Sequence, residues 1–101
     1  MTGPEALMIS EKDNVATSLA NAEAGATVQV RLGKEIQDIK ALEEIPFGFK
    51  IAVTDIARSG KIIKYGESIG IASENIKQGQ LVHVHNIEGA RGRGDLAKGD
   101  S

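Results

Sequence analysis

The chain's two imidazoles, His83 and His85, stand two residues apart in QLVHVHN, and two guanidiniums, Arg91 and Arg93, follow on the glycine-spaced segment RGRGD. In an extended strand, residues two apart share a face. The spacing therefore predicts Leu81, His83 and His85 on one side and Val82, Val84 and Asn86 on the other. Neutral imidazole is a common ligand of iron or zinc, and near neutral pH it can accept or donate a proton. Two ligands do not fill a coordination sphere, so a metal held by His83 and His85 would need further ligands from elsewhere. The planar fork of arginine matches a carboxylate, and glycine on either side lets backbone amides approach an anion closely. Each feature also has a plain reading. HxH alone is a weak motif that fits two solvent-facing histidines, Asn86 can be a turn former, and a Gly/Arg-rich terminus can be a solvated tail.

Further candidates are Lys50, which opens a strand in FGFKIAVTDI, and Lys64, Tyr65 and Glu67 around the glycine of KYGE. Lysine and tyrosine act as acid or base at neutral pH only where burial or a nearby charge shifts them. Without that, they are solvated lysines and a packing aromatic. The chain has no phosphate-binding loop, dinucleotide-binding glycine fingerprint, GxSxG or HExxH.

Composition narrows the class. A chain of 101 residues builds one modest core and cannot enclose a large substrate alone. Its 14 acidic and 12 basic side chains are mixed along the sequence, for a net charge of -2, which gives no general attraction to nucleic acid or anionic lipid. Aromatics are limited to Phe47, Phe49 and Tyr65, too few for a base-stacking platform. The absence of cysteine excludes disulfides, thiolate metal sites and a cysteine nucleophile. No apolar run approaches the roughly 20 residues of a membrane span, and MTGPEALMIS lacks the pattern of a secretory leader. The expectation is a cytoplasmic protein without nucleic-acid or membrane partners, for which self-association stays open.

The elements that must position these residues are short strands. ATVQVRLG alternates Val28, Val30 and Leu32 with Gln29 and Arg31 and ends at Gly33. FGFKIAVTDI and IIKYGESIGIAS carry similar patterns broken by glycine. Three stretches, NAEAGATVQV, DIARSGKIIKY and NIKQGQLVHV, share an opening Asx, a glycine four or five residues on and then a β-branched residue. This predicts a short helical turn capped by the Asx and closed by glycine, feeding a strand. NVATSLANAEAG suits a short helix or a strand and turn equally, and Pro46 prevents a long helix in ALEEIPFG. The expected fold is mainly β, compact, with one or two short helical turns. Its divisions are a flexible leader over 1–7 that pairs at most at its end, a domain over 8–90 and a Gly/Arg-rich tail over 91–101.

From Phe49 to Leu96, IKYGESIGIA, the I-x-x-G-x-x-V-H-V-H-N segment and RGRGD occur together and in order, and with them nearly the whole chain resembles the SAF-type β-clip domain of the altronate and galactarate dehydratases. The resemblance implies a β-clip fold acting as small subunit or N-terminal domain of a sugar-acid dehydratase, with a divalent metal, usually Fe2+, shared with a large catalytic subunit. It implies an enzyme inactive without that subunit. His83 and His85 would be catalytic or metal-binding, and Asn86, Lys50, Arg91 and Arg93 would contact the substrate. A similar small domain occurs in sulfolactate sulfo-lyase, which expels sulfite instead of water, and β-clip domains also serve as non-catalytic binding modules. One departure stands out: where the family pattern has Gly-His-Lys, this chain has Gly48, Phe49 and Lys50.

Overall fold

The structure, a computed structural model, describes residues 3–88. Those residues form nine strands: β1 (Glu5–Leu7), β2 (Val15–Ser18), β3 (Thr27–Leu32), β4 (Glu35–Lys40), β5 (Lys50–Ala52), β6 (Lys61–Lys64), β7 (Glu67–Ala72), β8 (Leu81–Val82) and β9 (Ile87–Glu88). A six-stranded sheet has the order β4-β3-β1-β2-β5-β8, and a three-stranded sheet the order β6-β7-β9. All pairings are antiparallel except β1 with β3. The mainly β expectation holds. The described residues contain no helix, so none is long and apolar enough to cross a membrane.

The stretches expected to be helical turns are β-turns, and there are four of them. Carbonyls of Glu23, Pro46, Ala57 and Lys77 accept from the amides three residues on, at 2.8–3.0 Å. The third residue of each turn, Gly25, Gly48, Ser59 or Gly79, has positive φ, as a type II turn requires. The turns clasp one another in pairs. Ala22 bridges Ile45 and Ile56 bridges Ile76. Gly25 donates to the Ala41 carbonyl while Gly48 donates to that of Ser18; in the second pair Ser59 donates to Ala72 and Gly79 to Ala52. The Asx residues cap their partner's turn, not their own: Asn21 Oδ1 accepts from Phe47, Asp55 Oδ1 from Gln78 and Asn75 Oδ1 from Arg58. The unit that the sequence reading missed is EEIPFGF, where Glu44 stands in the Asx position.

Burial follows the period of two. One core gathers Ala6, Ala16, Val28, Val30, Ile39, Ile45 and Ile51 with neighbours. A second gathers Val15, Ala52, Ile56, Ile62, Ala72, Ile76 and Val82. Strands β2 and β5 serve both, Ala16 and Ile51 facing one core and Val15 and Ala52 the other. The leader is not loose to residue 7: β1 lies between β2 and β3 with Ala6 fully buried. The edge strand β4 escaped the sequence reading because five of its six residues are not buried, leaving only Ile39 to report the core.

Asp13 and Asn14 join the sheets. Asp13 accepts from Ile9 and Ser10 on one side and from Gly66, in the β6–β7 turn, on the other. Asn14 Oδ1 accepts from Ile63 and its Nδ2 donates to the Lys61 carbonyl. Burial alone would raise the Asp13 carboxyl pKa, but the amides of Gly66, Ser10, Ile9 and Tyr65 outweigh it and hold the pKa below the usual value.

Two predictions follow from these contacts. Ser59→Gly relieves a left-handed non-glycine residue and is expected to raise stability by about 0.5–1 kcal/mol, whereas Gly79→Ala drives a Cβ into the Lys40 carbonyl oxygen and is expected to cost several times more, roughly 3 kcal/mol; urea melts measure both. Because the folded-state pKa of Asp13 is lowered, its contribution is complete above the unfolded value of about 3.9 and is lost as pH falls through the folded value. Melts from pH 6 down to about 2 should therefore show a steeper acid loss for the natural chain than for Asp13→Asn.

Candidate functional site

The histidine segment is not the strand that its alternation predicts. Strand β8 ends at Val82, and residues 83–86 make a turn closed by the Asn86 amide donating to the His83 carbonyl at 3.0 Å. Val84, expected on the core face, is 79% exposed. Asn86 causes the turn. It is 1% exposed, its Oδ1 accepts from the His83 amide at 2.9 Å, its Nδ2 donates to the Leu81 carbonyl at 2.8 Å, and its own carbonyl accepts from Ser73. All of its polar groups are thus spent on the backbone, so its amide is not displayed to a ligand. The turn carries the chain from β8 in the larger sheet to β9 in the smaller one.

His83 and His85 consequently do not project side by side from one strand face. The His83 ring is half-buried against Phe49, with ring centroids 4.5 Å apart and planes tilted by 49°, while His85 is exposed. Register explains the contact: Lys50 is opposite Val82, which brings Phe49 beside His83. The Phe49 that departs from the family pattern therefore sits on one of the two histidines. Among the described residues no three His, Asp or Glu side chains come together as a group that could hold a metal ion. The two imidazoles as placed do not make a metal site by themselves, and any coordination sphere would need ligands from outside the described residues. Arg91 and Arg93 lie outside those residues.

Lys50 is half-buried on the face of β5 that continues from Ala52 of the second core. Burial lowers its pKa below the ordinary lysine value, and the charge of Lys64 lowers it further. Lys64 ends β6, its ammonium 4.8 Å from the centroid of the Tyr65 ring. Tyr65 is 58% exposed and takes positive φ together with Gly66, the backbone of a two-residue hairpin turn. Its position is set by the turn. Thr17 pairs with Lys50 across β2 and β5.

A two-sheet β domain whose paired turns clasp each other, with histidines, lysines and an aromatic at the junction of the sheets, is a β-clip module that displays polar groups at a seam. The match to known proteins makes this particular. Residues 4–90 match the family described as "Altronate/galactarate dehydratase SAF domain", and the chain belongs to that family. It is 39% identical over 80 residues to altronate dehydratase of Escherichia coli, which covers 79% of this chain and 15% of that protein. It is 34% identical over 76 residues to galactarate dehydratase (L-threo-forming) of the same organism, covering 75% of this chain and 14% of the relative. Similarity to (2R)-sulfolactate sulfo-lyase subunit alpha of Chromohalobacter salexigens reaches 43% over 49 residues, 48% of this chain and 52% of that subunit. The matched region thus spans about a seventh of each of these dehydratases and about half of the lyase subunit.

The Asn86 geometry gives a direct test. Asn86→Ala leaves the half-buried His83 amide and Leu81 carbonyl without their partners and is expected to cost about 1–3 kcal/mol in a denaturant melt, an effect that a ligand-contacting surface asparagine would not show.

Proposed function

We propose that this chain is the small component of a sugar-acid dehydratase, eliminating water from an altronate- or galactarate-like hydroxy acid together with a large catalytic subunit. The observation that supports it most is the family match over residues 4–90, combined with relatives in which the same region is a small part of a much longer dehydratase. The chain is inactive alone in this reading and works in the cytoplasm.

Dehydration next to a carboxylate requires a base for the proton on the α-carbon and an acid for the departing hydroxyl. His85, an exposed imidazole, is placed to exchange a proton with a substrate. His83, braced by Phe49 and by the turn that Asn86 closes, forms the adjoining wall. Lys50 binds the substrate carboxylate, with Arg91 and Arg93 as further contacts to that group or to the large subunit. A divalent metal, Fe2+ by the family expectation, belongs in this reading to the large subunit's own ligands, and His83 and His85 do not hold it unaided.

A second reading has its own support. The relative named as a sulfo-lyase subunit is matched over about half of its length, far more than the dehydratases, and it is a separate subunit. Elimination of sulfite from a sulfonated hydroxy acid uses the same proton removal with a different leaving group.

Purification of the tagged chain from its native host, followed by anaerobic assay with ferrous iron, is expected to yield a large partner and dehydration of altronate or galactarate. Replacing both His83 and His85 by alanine is then expected to lower turnover of the assembled enzyme at least about tenfold. Unchanged turnover removes the histidines from the site. Release of sulfite from sulfolactate without dehydration selects the second reading, and a lone inactive chain contradicts both in favour of a binding module.

A further inference from the structure

Two of the sheet edges are closed by side chains. On β8 the outward amide of Leu81 donates to Glu43 Oε2 at 2.9 Å, and its carbonyl accepts from Asn86 Nδ2. On β6 the outward groups are spent on Asn14, whose Oδ1 accepts from the Ile63 amide while its own amide donates to the Ile63 carbonyl and its Nδ2 to that of Lys61. Strand β4, at the other end of the larger sheet from β8, has no such cover. Leu32 pairs with Glu35 across a two-residue turn, so Glu35, Gln37 and Ile39 turn their backbone groups to β3, while those of Ile36 and Asp38 point away from the sheet. Among the described residues no hydrogen bond takes them up. The open stretch ends at Lys40, whose carbonyl lies against Gly79, and the Leu42 amide beyond it donates to the Gly79 carbonyl. An uncovered edge is a template for another strand.

A second copy of the chain fits this edge in one antiparallel register. Ladder bonds form only where outward-facing residues lie opposite one another. With Ile36 opposite the partner's Ile36, Lys34 stands against the partner's Asp38 on both sides of the two-fold axis, and Glu35 meets the partner's Gln37. The two Ile36 side chains, each 51% exposed in the single chain, then cover each other. Neighbouring registers fail. Asp38 opposite the partner's Asp38 sets two carboxylates face to face, Ile36 opposite the partner's Asp38 sets Lys34 against the partner's Lys40, and Asp38 opposite the partner's Lys40 needs the carbonyl that Gly79 covers. We propose that the chain forms a two-fold dimer in which the β4 strands of two copies pair antiparallel about Ile36, joining the six-stranded sheets edge to edge. The pairing consumes both open edges, so assembly closes at two copies. Because β4 and β8 are opposite ends of the strand order, the histidine turn of each copy stays uncovered, and the dimer does not rest on the dehydratase reading. A single short strand from each copy is a small interface, so the dimer is weak.

Sedimentation velocity of the full chain from about 10 μM to about 1 mM, the range in which a weak interface dissociates, is expected to pass from monomer to dimer. Asp38→Lys and Lys34→Asp each place like charges opposite one another and should each weaken self-association at least about tenfold. Both side chains are exposed, so the fold is retained. An equimolar mixture of the two variants should regain the dimer, because opposite charges then face each other at both positions. Amide exchange at Ile36 and Asp38 should slow as concentration rises, while that at Glu35 and Gln37, already bonded to β3, should not change. A natural chain that stays monomeric throughout, single variants that associate as it does, or a mixture that remains monomeric overturns the pairing. Slow exchange at Ile36 and Asp38 that is independent of concentration also overturns it and makes residues 89–101 of the same chain the occupant of the edge.

Discussion

The fold depends on reciprocal backbone hydrogen bonds between paired turns. In each pair, one turn's left-handed residue donates its amide to the carbonyl that precedes the other turn, and the other turn returns the bond. A turn of this kind presents polar backbone groups that must be satisfied when buried. Here each turn satisfies its partner, and Asn21, Asp55 and Asn75 add a side-chain acceptor across three of the four contacts. The need for a left-handed residue at a fixed point of each turn explains Gly25, Gly48 and Gly79, and makes Ser59 the strained member.

Clasping the turns fixes where the strands leave them, and hence which residues meet. Strands β2 and β5 have one face in each core, so the two cores share a wall. Asp13 and Asn14 tie the smaller sheet to that wall through Gly66, Ile63 and Lys61. Lys50 opens β5 beside this wall, and the turn from β8 to β9 brings His83 close to the same strand through its contact with Phe49. The strand pattern stops there, since the His83–Asn86 segment is irregular backbone held by a buried asparagine.

Much of the fold was legible because most strands are half-buried: Val28 and Val30, or Ile51 with its neighbours, state their faces by alternation. Strand β4 was not, since an exposed edge has little apolar period to read. Asx and glycine positions revealed three of the four clasped turns, but a chain read in one dimension cannot show that the Asx of one turn caps another, and so local helical capping was the expected result. The histidines illustrate the limit most clearly. HVHN alternates as a strand would, yet Asn86 supplies enough backbone hydrogen bonds to replace the ladder with a turn, a local competition that alternation does not register. Family resemblance identified the domain; the contact between Phe49 and His83 required three dimensions.

In the proposed function a larger chain covers the junction of the two sheets around His83 and Lys50, and amide hydrogen exchange, compared between the isolated chain and the chain assembled with its large partner, measures that cover. Added protection is expected at residues 81–88 and around Lys50, with the β4 edge unchanged. Protection confined to β4, with the seam exchanging as in the free chain, would contradict it.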